Sequence, residues 1–151
     1  MKILFIGLGS IGVNVANAAL ALGMKVIGFD PKVTVTNAWK LSSGVEKVDD
    51  LDAIFKRSDA VTVHVPLVEQ TKNLINSERL NLLKPSCGIV NIGRQSVLDY
   101  DALRIKLQKN ELGGAILDVF SHEPIPKNSN LWDTPNLIIT PHISSDSKGN
   151  Y

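Results

Sequence analysis

The chain has 151 residues, 44% hydrophobic and 21% charged, with a net charge of +1 and a single cysteine. Those values describe one ordinary globular domain with enough apolar mass for a core, and no apolar run reaches membrane-spanning length. Charges of both signs are interspersed, which points away from nucleic acid or an anionic membrane; the lone Cys87 excludes an internal disulfide and fits the reducing cytoplasm.

The first predicted element is a strand over 2–6, Lys2-Ile3-Leu4-Phe5-Ile6. It runs into Gly7-Leu8-Gly9-Ser10-Ile11-Gly12 and a helix over roughly 10–22. Strand, glycine turn and helix in that order are what a dinucleotide fingerprint requires. Gly7 permits the tight turn, Gly9 lets backbone approach a pyrophosphate, and Gly12 lets helix and strand pack closely. The free N–H groups of the helix start then face the phosphates. Lys2, the apolar run and Ala16-Asn17-Ala18 imitate a secretory leader. Three glycines break that run, however, and cleavage after Ala18 would destroy the strand and turn. A second strand over 25–29 leads to Asp30, 18 residues after Gly12. A carboxylate there accepts hydrogen bonds from an adenosine ribose and repels a 2′-phosphate. The register favours NAD over NADP.

Further along, a short strand near 45–48 precedes a helix over 50–57 capped by Asp49 or Asp50. Strand 60–65, helix 77–83 capped by Ser77, and strand 88–92 follow. Cys87, just before that strand, reads as a buried thiol with no base beside it. Helix 99–110 is capped by Asp99, and strands 114–119 and 137–140 close the series. Between them, residues 121–136 with Pro124, Pro126 and Pro135 read as an irregular connection, often a functional feature at this length. Apolar runs alternating with helical patterns define an α/β domain: a doubly wound parallel sheet between two layers of helices.

In such a sheet, residues just past the C-terminal strand ends share one edge, and ligands bind there. Gly7 to Gly12 and Asp30 follow the first two strands. His64-Val65-Pro66 ends the fourth, Asn91-Ile92-Gly93-Arg94 follows the fifth, Asp118 to Glu123 leave the sixth, and Pro141-His142 follows the seventh. An arginine, a carboxylate and a histidine are thus brought to one cleft beside the cofactor. Reduction of a 2-oxo acid needs a carboxylate anchor, a proton donor and a hydride donor. Arg94 offers a planar, permanently charged fork for the carboxylate. His142 can move the proton near neutral pH, and Glu123, if paired with it, favours imidazolium and orients the ring. Asp118 stands where it can accept from a nicotinamide amide. His64 reads as structural, part of the wall around the adenine.

These motifs carry a resemblance. Residues 1–145 resemble the NAD-binding domain of the D-isomer-specific 2-hydroxyacid dehydrogenases, the family of phosphoglycerate dehydrogenase and glyoxylate/hydroxypyruvate reductase. The matching segments are GLGSIG with Asp30, His64-Val65-Pro66-Leu67, Asn91-Ile92-Gly93-Arg94, and Leu117-Asp118-Val119-Phe120 running into Glu123-Pro124. Leu131-Trp132, Pro135-Asn136-Leu137 and Thr140-Pro141-His142-Ile143 complete the order. The resemblance implies a Rossmann-type fold, substrate binding by Arg94, support of the histidine by Glu123, and acid/base work by His142. It also implies homodimerisation through this domain. The implied cofactor contacts are Gly7, Gly9, Ser10, Ile11, Gly12 and Asp30; His64, Val65, Pro66 and Thr71; Ile92, Gly93 and Arg94; and Asp118, His142 and Ser144. No metal is implied. Two positions depart from the family pattern: Gln95 stands where glycine often follows the arginine, and Ser144 replaces a frequent glycine.

In that family the cleft lies between this domain and a second, substrate-binding one that these residues do not supply. The sequence is therefore expected to be the nucleotide-binding half of a 2-hydroxyacid dehydrogenase, as a piece of a longer enzyme or the product of a split gene. The rival expectation is a stand-alone, non-catalytic NAD-binding or dimerisation module, which would have no need of His142 or Glu123. A different dehydrogenase of the same fold, such as a 3-hydroxyacid enzyme, is disfavoured by the order of the Arg, Glu and His motifs.

Overall fold

Each predicted strand is present, and all seven strands run parallel. A computed structural model describes residues 1–7, 10–29, 44, 46–47, 50–64 and 72–142. The elements are β1 (Lys2–Ile6), α1 (Ser10–Ala21), β2 (Lys25–Phe29), β3 (Glu46–Lys47), α2 (Leu51–Phe55), β4 (Ala60–Val63), α3 (Ser77–Leu80), β5 (Gly88–Asn91), α4 (Tyr100–Gln108), β6 (Gly114–Leu117) and β7 (Leu137–Ile139). Sheet order is β3-β2-β1-β4-β5-β6-β7. Ile3 faces both Val26 of β2 and Ala60 of β4. The chain therefore leaves β1 toward one edge and returns across it toward the other, which opens a crevice at the C-terminal ends of β1 and β4.

Strand alternation divides the apolar residues between two cores. Leu4, Ile6, Val61, Val63, Ile89 and Leu117 pack with Leu51, Ile54 and Phe55 of α2, Leu80 of α3, and Leu103 and Leu107 of α4. On the opposite side, Phe5 and Val26 pack with Val13, Ala16 and Ala19 of α1. Each fully buried aliphatic or aromatic side chain contributes about 1.5–3 kcal/mol, so the larger cluster dominates. Cys87 is fully buried within it, and that burial pushes its thiol up to about 12; the residue is an inert part of the core.

Helix starts follow the capping rules, with one correction. Asp50 accepts from the Ala53 N–H at the start of α2, and Asp99 accepts from the Ala102 N–H at the start of α4. The cap of α3 is Asn76, whose side chain accepts from the Arg79 N–H at 2.9 Å. Ser77, expected in that role, is already the first helical residue. Asn and Ser cap almost equally well, so adjacent candidates are decided by backbone geometry: Asn76 has the extended φ and ψ that a cap needs. The connection expected to be irregular contains a single 3-10 turn, Asn130–Asp133, capped by Ser129. Among the described residues, no helix is long and apolar enough to cross a membrane.

Candidate active site

The crevice begins where β1 meets α1. Gly7 sits at φ 105°, a left-handed conformation that glycine adopts without strain, and its N–H donates to the Phe29 carbonyl of β2. A Cβ on Gly12 would stand 2.2 Å from the Gly7 carbonyl oxygen and 3.7 Å from the His64 Cβ. Only glycine lets α1 approach the strand end this closely. Gly9, Asp30, Val65, Pro66, Thr71 and Ser144, and the side chains of Ser10 and Ile11, lie outside the described part of the chain.

His64 follows β4. Its ring stacks on Phe5 with centroids 5.6 Å apart, and its Nε2 lies 2.9 Å from the Thr62 hydroxyl. Burial lowers its affinity for a proton. Among the described residues its buried Nδ1 has no hydrogen-bond partner. These features describe a ring held in the neutral form against β1.

Past β5, one buried amide shapes the turn that carries Arg94. The Asn91 Oδ1 accepts from the Gly93 N–H at 3.0 Å, while its Nδ2 donates to the Arg94 carbonyl at 3.0 Å and the Tyr100 hydroxyl at 3.2 Å. Tyr100, on α4, passes the contact on by donating to the Val119 carbonyl at 2.7 Å. The loops after β5 and β6 are thus fastened to the same two side chains. Arg94 itself is exposed, and its Nη1 donates to the adjacent Gly93 carbonyl at 2.9 Å. The motif Asn91-Ile92-Gly93-Arg94 by itself assigns Asn91 no role. Alternation was the available signal, because Asn91 shares its face with the core residue Ile89. Replacement by leucine leaves the Gly93 N–H and Arg94 carbonyl without their partner, so Asn91→Leu should lower the unfolding free energy by about 2–3 kcal/mol. Urea denaturation measures this; an unchanged midpoint and slope would remove Asn91 from the frame.

A carboxylate–imidazole contact joins the loops after β6 and β7. The Glu123 carboxylate oxygens both lie 3.0 Å from the His142 Nδ1. One of them also accepts from the Phe120 N–H at 3.0 Å. The His142 ring nitrogen, and after it the Phe120 N–H, hold the Glu123 carboxyl below the usual carboxylate range. His142 sits at φ 59°, a region that residues other than glycine seldom occupy, and its N–H donates to the Thr140 carbonyl at 3.0 Å. Asp118 is buried and accepts from the Thr140 hydroxyl, which ties the end of β6 to the residues just before His142. The pair is partly open to solvent, with the His142 side chain 42% exposed and the Glu123 side chain 38%. Nδ1 is engaged by the carboxylate, so Nε2 is the nitrogen left to exchange a proton with a bound molecule.

A doubly wound parallel sheet with a glycine turn at its switch point defines a Rossmann-type fold suited to a dinucleotide. Residues 1–144 match the family model described as D-isomer specific 2-hydroxyacid dehydrogenase, NAD binding domain. The chain belongs to that family. It is 43% identical over 143 residues to a D-3-phosphoglycerate dehydrogenase of Methanocaldococcus jannaschii, a match covering 95% of this chain and 27% of that protein. To a hydroxypyruvate reductase of Thermotoga maritima it is 40% identical over 145 residues, covering 94% of this chain and 45% of that protein. The crystal structure of a D-isomer specific 2-hydroxyacid dehydrogenase from Xanthobacter autotrophicus Py2, in complex with NADPH and MES, superposes with a TM-score of 0.86 at 31% identity. That superposition covers 97% of this chain and 60% of the other. The chain therefore spans about a quarter of the first of these curated relatives and a little under half of the second.

Proposed function

We propose that this chain is the nucleotide-binding half of an NAD-dependent dehydrogenase acting at C2 of a D-2-hydroxy acid or its 2-oxo acid. The observation that carries the reading is the Glu123–His142 contact, on the sheet edge to which the Arg94 turn also belongs. A domain that only bound nucleotide would have no use for it.

The residues present fit a dinucleotide. Gly12 leaves no room for a Cβ beside the Gly7 carbonyl, and the start of α1 offers backbone N–H donors suited to phosphate. Ser10, Ile11, His64, Ile92, Gly93 and Asp118 would complete the cradle, with Gly9, Val65, Pro66, Thr71 and Ser144. When bound, the nicotinamide supplies or takes the hydride. Arg94 swings its guanidinium from the Gly93 carbonyl to the substrate carboxylate, a bidentate match that orients C2. His142 gives a proton to the carbonyl oxygen in reduction and takes it from the hydroxyl in oxidation, through Nε2. Glu123 stays ionised, holds Nδ1–H and stabilises the imidazolium. The substrate side chain would be read by the second domain of the enzyme. We further infer a homodimer formed through this domain and residence in the cytoplasm.

Asp30 is the proposed selector of NAD over NADP, although the Xanthobacter relative binds NADPH. Fluorescence titration of the chain is expected to give saturable binding of NADH and clearly weaker binding of NADPH, a difference that Asp30→Ser narrows. Equal affinity for the two nucleotides would overturn the role of Asp30. A folded chain that binds neither would overturn the dinucleotide reading for this domain.

A further inference from the structure

We infer that Gln95, the residue that departs from the family's glycine after the arginine, is a positioning residue for the acid–base pair. Its side-chain Oε1 accepts from the Ser121 N–H at 2.6 Å, a bond between residues 26 apart in the chain. The inference rests on Glu123 and His142 acting as that pair.

The reason lies in where the loop after β6 is fastened. Between Leu117 and the start of β7 the backbone runs without a strand. The Val119 carbonyl is held by the Tyr100 hydroxyl. Ser121 is held by Gln95, and the next polar contact along the chain is Glu123 itself. Ser121 adjoins Phe120, whose N–H binds the Glu123 carboxylate. Holding Ser121 therefore fixes both the backbone leading into Glu123 and the donor that orients its carboxylate. A glycine at position 95 has no side chain with which to make this bond. Gln95 also follows Arg94 directly and opens the 3-10 turn Gln95–Val97. That turn is itself clasped by the neighbouring segment, with the Asn73 N–H donating to the Ser96 carbonyl and the Ile75 N–H to the Val97 carbonyl. One side chain thus ties the turn bearing the substrate anchor to the loop bearing the carboxylate. The distance between anchor and acid–base pair is set across the bridge, where the backbone path between them is long.

The test compares the chain with Gln95→Met, which keeps length and removes the acceptor, and with Gln95→Ala. His142→Ala serves as the reference for a lost pair. Two NMR readouts are followed in the folded proteins: hydrogen exchange of the Ser121 amide, and the titration midpoint of the Glu123 side-chain carboxyl carbon. Gln95→Met and Gln95→Ala are each expected to speed Ser121 exchange about threefold or more and to raise the Glu123 midpoint by about half a pH unit. His142→Ala should raise the midpoint further without speeding Ser121 exchange. Faster exchange with an unmoved midpoint, where His142→Ala does move it, overturns the positioning role and leaves the pair intact. Unchanged exchange in both Gln95 variants overturns the bridge itself. A midpoint that His142→Ala leaves in place overturns the pair, and Gln95's role with it.

Discussion

In a full-length enzyme carrying this domain, His142→Ala is expected to lower kcat by about a hundredfold or more with glyoxylate or hydroxypyruvate and NADH, the usual worth of a positioned acid or base. Carbonyl reduction leaves negative charge on oxygen unless a proton arrives with the hydride. The fold brings the imidazole at the end of β7 to this edge already oriented by a carboxylate 3.0 Å away, and a histidine can both give and take a proton. Glu123→Gln should fall between the parent and His142→Ala, since an amide still contacts Nδ1 but cannot stabilise positive charge on the ring. Steady-state rates in both directions decide the matter. A His142→Ala enzyme within about tenfold of the parent would show that the proton comes from elsewhere.

The second large effect is expected at the other end of the crevice. Gly12→Ala should weaken NADH binding at least about tenfold and destabilise the domain by about 1–3 kcal/mol, the range for inserting a methyl into filled space. The added carbon would lie 2.2 Å from a backbone oxygen. That oxygen belongs to Gly7, whose own N–H is bonded to Phe29, so it cannot move aside without loosening β1 from β2. Relief must come from shifting α1 outward, which carries the phosphate-facing end of the helix away from the turn. Thermal unfolding and NADH titration on one preparation separate the two consequences. Parent-like values in both would mean that the helix start has more freedom than the packing indicates.

Much of this architecture was legible in the chain. Six apolar runs bounded by glycine, proline and capping residues correspond to strands, and the short Glu46–Lys47 strand completes the seven, because a strand that packs on a core needs apolar residues and must stop at a turn. The placement of the candidate residues was legible as well: Arg94, Glu123 and His142 each follow a strand end, and parallel topology brings strand ends to one edge. Three things were not. The cap of α3 fell to Asn76, since two adjacent residues of equal capping power differ only in backbone conformation. The 3-10 turn at Asn130–Asp133 has no apolar period to announce it. Tyr100 and Gln95 act on loops that lie 19 and 26 residues away in sequence, and neither local propensity nor periodicity reports on such contacts.

The Tyr100 hydroxyl has a consequence for how the enzyme should respond to acid and alkali. Burial, first among its causes, pushes this phenol far above its ordinary range, and its partners, the Asn91 amide and the Val119 carbonyl, carry no ionisable proton at all. The Asn91–Tyr100–Val119 link is therefore electrically silent over the whole span in which carboxylates and imidazoles exchange protons. Whatever bell or plateau the reaction traces against pH then arises outside this link, whose three members keep one charge state from end to end.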